Sequence, residues 1–241
     1  MKWLKHVFYK ELWVIAMVAM TTAACAFKLG SMTPEEAFPG IHGQLVQAAV
    51  DGNTEKMEQL AKQGADPNYR GAQGSTPLMW AQAAHSHRGL EKLLELGADP
   101  NAPILKGTAS VTWAAARGND TEILRILLDH GGNPNAAFEC YTLLMAAVGS
   151  LERERVDLVL SHGANINGEV CDESAPEVAA AVGRFDWVLD FLSKGYDNKL
   201  ERLAQICNIR IVPKDSQSYR DKMQALEILR QRGVKIPPLR Q

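Results

Sequence analysis

Gly64-Ala65-Asp66-Pro67-Asn68 recurs as Gly97-Ala98-Asp99-Pro100-Asn101, as Gly131-Gly132-Asn133-Pro134-Asn135 and as Gly163-Ala164-Asn165-Ile166-Asn167. A weaker copy stands at Gly195-Tyr196-Asp197 and a last glycine at Gly233, so the leading glycines are spaced by 33, 34, 32, 32 and 38 residues. Four copies in register mark a repeat architecture, in which one short unit is stacked on the next. With 241 residues and 46% hydrophobic content the chain can bury a core, and the period argues for one elongated array rather than two unrelated domains. Lys and Arg number 26 against 28 Asp and Glu, a net charge of −2 that excludes a general polyanion binder.

Each glycine closes an amphipathic stretch: Met57, Leu60, Ala61; Leu90, Leu93, Leu94; Ile123, Ile126, Leu127; Val156, Val159, Leu160; Val188, Phe191, Leu192. Steps of three and four residues predict one apolar helical stripe, ended by a glycine in the left-handed conformation. Upstream of each lies a shorter alanine-rich segment: Ala48-Ala49, Ala81 to Ala84, Ala114 to Ala116, Ala146-Ala147 and Ala179 to Ala181. Small side chains there let two antiparallel helices, and the neighbouring unit, approach closely. Thr76-Pro77-Leu78 opens one of these helices with proline in the first turn, where its missing donor costs nothing.

Helix, tight turn, helix, glycine cap and polar hairpin loop: these residues resemble the ankyrin repeat, over residues 41–197. The resemblance implies an all-α solenoid of helix–turn–helix repeats with hairpin loops, about five repeats followed by a degenerate capping repeat at 198–241. The fifth unit departs through Ala175-Pro176-Glu177 and the missing final Asn, the sixth through an insertion around Pro213 to Ser218. In the ankyrin family the hairpin tips and short inner helices form a concave binding face. Carried onto this chain, that face places Tyr69, Arg70, Ile104, Leu105, Phe138 and Glu139 at the tips, and Trp80, Trp113 and Tyr141 on or beside the inner helices. For Trp80, Trp113, Tyr141 and Met145 core and groove are both open readings, because one residue of slip exchanges them. Trp187, on an outer helix, reads as core.

The first residues differ from the rest. Lys2, Lys5, His6 and Lys10 form a basic start, and Leu12 to Met20 runs apolar but falls short of the ~20 residues a spanning helix needs. Residues 1–24 therefore read as a bacterial signal peptide. Thr21-Thr22-Ala23-Ala24-Cys25 resembles a lipobox, which implies lipidation of Cys25 and, with Ala26 following it, an outer-membrane lipoprotein facing the periplasm. Cleavage after Ala26, using Ala24 and Ala26, and an uncut anchor are the alternatives. Residues 25–40, with Gly30, Pro34, Pro39 and Gly40, read as a tether, and initiation at Met32 would give a cytosolic form. Membrane contact is expected only through the N-terminal lipid.

Cys140, Cys171 and Cys207 remain. Cys140 and Cys171 precede helix pairs at comparable places in consecutive repeats. A bridge between them needs the loops to lean together, because stacked elements lie about 10 Å apart. No C-x-x-C pair supports zinc. Of the histidines, His130 and His162 precede capping glycines and suit a helix C-terminus. His85-x-His87 is the one metal-like spacing, and with no third ligand nearby in sequence it reads as a solvated turn. Nucleophile elbow, P-loop and H-E-x-x-H motifs are missing, and basic residues alternate with acids, as in Glu152-Arg153-Glu154-Arg155. We therefore expect no enzyme, cofactor, metal, nucleic-acid partner or obligate homo-oligomer. An exported ankyrin protein resembles bacterial immunity proteins, which bind type VI secretion effectors with phospholipase activity; that resemblance implies a protein toxin as partner. The alternative is a periplasmic scaffold or assembly factor for an envelope enzyme.

Overall fold

The computed structural model describes residues 32–104 and 108–236. The leader 1–24, Cys25, Leu105 and residues 237–241 lie outside the described residues. Among the described residues no helix is long and apolar enough to cross a membrane. They fall into two compact units that divide at Gly132/Asn133, where the repeats alone predict one array. Repeats contact mainly their neighbours, so a division of this kind falls between repeats.

The first unit holds α1 (Pro34–Ala37), α2 (Ile41–Val50), α3 (Thr54–Lys62), α4 (Pro77–Ala83), α5 (His87–Glu95), α6 (Val111–Ala115) and α7 (Thr121–Asp129). The second begins with the hairpin β1–β2 (Ala137–Phe138, Tyr141–Thr142), followed by α8 (Leu143–Gly149) and α9 (Arg153–Ser161). The hairpin β3–β4 (Glu169–Val170, Glu173–Ser174) precedes α10 (Ala175–Ala181) and α11 (Phe185–Ser193), and α12 (Leu200–Ile209) and α13 (Gln217–Gln231) complete it. The fold is all-α, and the hairpins are the two-residue strands that join helix pairs.

Local chemistry starts and stops these short helices. A hydroxyl caps the inner helices: Thr76 accepts from the Met79 N–H at 3.2 Å, Ser110 from Trp113 at 3.1 Å and Thr142 from Met145 at 3.1 Å. Ser174 makes a capping box with Glu177. Each such cap is worth about 1 kcal/mol. The outer helices end on glycines with φ between 87° and 98°, from Gly64 to Gly233, a region that costs other L-residues roughly 1–2 kcal/mol.

The recurrent asparagine ties one repeat to the next. Asn68 Nδ2 donates to the Gly97 carbonyl at 2.7 Å, and its Oδ1 accepts from the Asp99 N–H at 2.8 Å. Asn101 reaches Gly131 in the same way, and in the second unit Asn135 reaches Gly163 and Asn165, and Asn167 reaches Gly195 and Asp197. The preceding Asp or Asn accepts from the backbone two residues on, as Asp66 does from Asn68 and Asn165 from Asn167. The signature is thus a hydrogen-bond adaptor that satisfies the orphan groups of the next helix end.

One expectation changes and one open reading closes. Residues 33–38 are not part of a tether: Thr33 and Glu36 form a capping box for α1, and Phe38 is fully buried. Phe38 packs edge-on against Trp80 (6.2 Å between ring centroids), with Met32, Val46 and Tyr69 around it. An apolar side chain two residues before Gly40 covers the end of the first helix pair, which would otherwise face water. Gly43 allows this, because a Cβ there would stand 2.6 Å from the Phe38 carbonyl oxygen. For Trp113, placed on the binding face with core and groove both open, the core reading holds: it is 6% exposed, because its helix turns the ring inward with Val111 and Ala115.

At the other end α12 and α13 form the last helix pair. Lys222 is buried, and its ammonium donates to the Asn208 and Arg210 carbonyls at 3.2 and 2.7 Å, closing the C-terminus of α12. Burial pulls the Lys222 pKa below its ordinary value. Arg232 donates to the Tyr196 and Leu192 carbonyls at 2.7 and 2.8 Å, pinning α13 to the end of α11.

Candidate interaction surface

In the first unit the tip after α3 is built by Tyr69 and Arg70. Tyr69 is half-buried, stacked on His42 with 4.0 Å between ring centroids, so part of its ring is already spent on packing. Arg70 is exposed, and one guanidinium nitrogen donates to the Gly74 carbonyl at 2.9 Å and to the Pro103 carbonyl of the next repeat at 2.7 Å. Ile104 is half-buried beside that contact, its N–H donating to the Ala109 carbonyl. Trp80 is half-buried against Phe38. Tyr69, Arg70 and Ile104 therefore remain at the tips, whereas Trp80 shares its ring with the packing of residues 37 and 38.

The second unit joins its tips covalently. Cys140 and Cys171 form a disulfide across a Cα–Cα distance of 5.2 Å, so the loops do lean together. Cys140 sits in the turn of β1–β2 after Glu139, and Cys171 in the turn of β3–β4 before Asp172. Phe138 and Tyr141 pair across the first hairpin, both half-buried, and Glu139 is exposed. Met145 is buried beneath them. The second hairpin presents Glu169 and Val170, and Lys199 bridges Glu169 and Asp172 at 2.9 Å each. The Lys199 hydrogen bond holds the Asp172 carboxyl below its usual range, and those of Glu169 and Asp172 raise the lysine.

Behind the second hairpin lies a buried polar set. The Ser174 and Tyr196 hydroxyls are 2.9 Å apart, Glu177 Oε2 accepts from the Ser174 N–H at 2.9 Å, and Arg202 pairs with Glu177 at 3.2 Å. Burial pushes the Tyr196 phenol up to about 12, and burial likewise raises Glu177 against the pull of Arg202. These groups fix the hairpin to the helices beneath it. Cys207 is a buried free thiol that burial pushes up to about 12, so it is no reactive thiolate.

His85 and His87 have a third polar partner that no sequence spacing revealed. Asp120 Oδ2 lies 3.0 Å from His85 Nδ1 and 2.7 Å from His87 Nε2, while Oδ1 caps α7 through the Glu122 and Ile123 N–H groups. Burial opposes ionisation of Asp120, but the hydrogen bonds from His85 and His87 outweigh it and hold the carboxyl at about 2. This is a clasp between consecutive helix turns. Among the described residues no His, Cys, Asp or Glu group is arranged to hold a metal ion.

The other signal missed in the sequence is the hydroxyl series Thr76, Ser110, Thr142 and Ser174. It stands at one position of successive repeats but is masked because the proline that follows Thr76 is lost from the others, where Val111, Leu143 and Ala175 stand instead. Each unit by itself presents aromatic and charged groups on short loops fixed by helices, Tyr69 and Arg70 in the first and Phe138, Glu139 and Tyr141 in the second, an arrangement suited to contact with another protein.

A family model for the ankyrin repeat matches residues 73–104 and 110–137. No curated protein matches the chain. The matched segments span α4–α5 and α6–α7 with the loops that follow, the parts in which the asparagine adaptor, hydroxyl cap and glycine end were found. Ankyrin repeats are generally protein–protein interaction modules rather than catalysts. Helix order, caps and matched segments agree on an all-α fold of the ankyrin-solenoid type.

Proposed function

We propose that the chain is a periplasmic immunity protein, which neutralises a cognate secreted antibacterial toxin of the lipase or phospholipase class by direct contact. The observation that carries this reading is the disulfide that pins two exposed hairpin tips together. Such bridges persist in oxidising compartments such as the bacterial periplasm, and pre-ordered tips lower the entropy cost of binding. The reading draws further support from the signal-like residues 1–24 and lipobox-like Thr22-Ala23-Ala24-Cys25, which suit an outer-membrane lipoprotein, with Met32 as the start of a cytosolic form. In mechanism, Phe138, Glu139 and Tyr141 on the bridged hairpins of the second unit grip the toxin, occluding its active-site entrance or holding its lid shut.

The test is a tagged full-length chain, recovered from envelope and cytosol with whatever elutes in stoichiometric amount. A lipase silenced in the complex, whose expression the chain renders harmless to growth, is the expected result. Recovery of a housekeeping envelope enzyme that works better in the complex would replace immunity with scaffolding. Tip substitutions then locate the contact: Phe138→Ala lowers affinity at least tenfold with the helical signal unchanged, and full affinity in that variant removes the first hairpin from the interface.

A further inference from the structure

We infer that the Cys140–Cys171 bridge is a redox latch on the paired hairpins: reduction loosens the tips while leaving the helices beneath them folded. This goes beyond the proposed partner and holds whatever the chain binds.

Besides the bridge, Lys199 and the Ser174–Tyr196 contact tie down only the second hairpin, and the turns at the tips have little else to keep their shape. Each strand is two residues long, and isolated pairs of that size are not self-supporting. Three non-glycine tip residues, Glu139, Cys171 and Asp172, have φ of 50°, 51° and 64°, where an L-side chain is strained unless its surroundings impose it. The bridge joins the residue after Glu139 to the residue before Asp172, so it holds all three in place.

The helices do not depend on it. Thr142 caps α8 through the Met145 N–H, and Ser174 and Glu177 cap α10. Leu143, Leu144, Ala179 and Ala180 are buried in their own packing. Loosening therefore ends at Thr142 and Ser174.

The bridge is also reachable, since Cys171 is exposed and Cys140 half-buried. A dithiol of the thioredoxin type supplies the reductant. Its thiolate attacks the more exposed Cys171 Sγ, the S–S bond breaks and Cys140 leaves as a thiolate that takes a proton. The second thiol of the reductant then attacks the mixed disulfide and releases Cys171. Two electrons and two protons pass to the protein, and the dithiol becomes a disulfide. Cys207, buried, takes no part.

The test is hydrogen exchange of the full chain with and without reduced dithiothreitol, followed on peptides covering 136–142 and 168–174 and on α8 and α10. Reduction is expected to speed exchange in both tip peptides at least tenfold while α8 and α10 stay protected and the helical ellipticity is unchanged. Cys140→Ser/Cys171→Ser should match the reduced state without reductant, and Cys207→Ser should respond to reductant as the parent does. Tip exchange that is the same in both states, or loss of helix protection together with the tips, overturns the latch.

Discussion

The two units join one hairpin tip to the next by different chemistry. In the first, the Arg70 guanidinium reaches across to the Pro103 carbonyl at 2.7 Å; in the second, Cys140 and Cys171 make a covalent bond. Their helix-turn edges differ as well. Both units place one glycine at a left-handed helix turn, Gly52 and Gly183, but the first adds His85, held by Asp120, whereas the second adds Leu151 at φ 61° and leaves it 53% exposed. One repeat plan thus tolerates a clasped histidine in one unit and an exposed leucine in the other at its edges, because the asparagine adaptor and the glycine cap already fix the spacing of the repeats.

The sharpest way to break this comparison is through the cores, which the two units should share. Trp113→Ala in the first and Trp187→Ala in the second should each cost about 3–5 kcal/mol, since both rings are buried. Urea unfolding measures this, with the remaining tryptophans as reporters. A Trp113 variant of normal stability would return that ring to the surface.

The next effect separates the units. Cys140→Ser/Cys171→Ser should lower stability by about 2–4 kcal/mol, chiefly by freeing the unfolded chain. Arg70→Ala should cost only about 1 kcal/mol, the range of a single exposed charge-assisted contact. Equal midpoint shifts in denaturant would show that the covalent and polar links do the same job.

Asp120→Ala removes a helix cap and the clasp on His85 and His87 together, and should cost about 1–2 kcal/mol. Its acid dependence has a definite sign. The folded carboxyl is held below its ordinary 3.8, at about 2, so the clasp's stabilisation is complete above pH 4 and fades as the pH falls toward 2. After allowance for solvent screening it amounts to about 1 kcal/mol. Thermal melts between pH 5 and 2 should show the variant losing less than the parent, and parallel curves would refute the assignment.

The smallest effect is Leu151→Gly, which should raise stability by up to about 1 kcal/mol by relieving a left-handed leucine. A lower melting temperature would mean that the exposed leucine makes contacts worth more than the strain.

The helix pairs were readable in the chain because their signals are local: apolar steps of three and four, alanine segments and a terminal glycine. The tips were readable only as places. Arg70 and Ile104 could be set on loops from the period, but whether a tryptophan beside them faced core or groove turned on one residue of register. Trp113 went inward and Trp80 was half taken by Phe38, a residue outside the repeat pattern. Asp120 escaped notice because hydrogen-bond partners 33 and 35 residues away carry no local pattern.

By itself the sequence determined the repeat, its helices and their closing glycines, since each is written in contacts within a few residues. Only the tertiary structure decided that residues 33–38 pack against the first repeat, that the two hairpins approach within bridging distance, and that the paired histidines meet an aspartate. Each of those depends on how one repeat leans on its neighbour, and that angle is set by the sum of many small packing contacts rather than by any one residue.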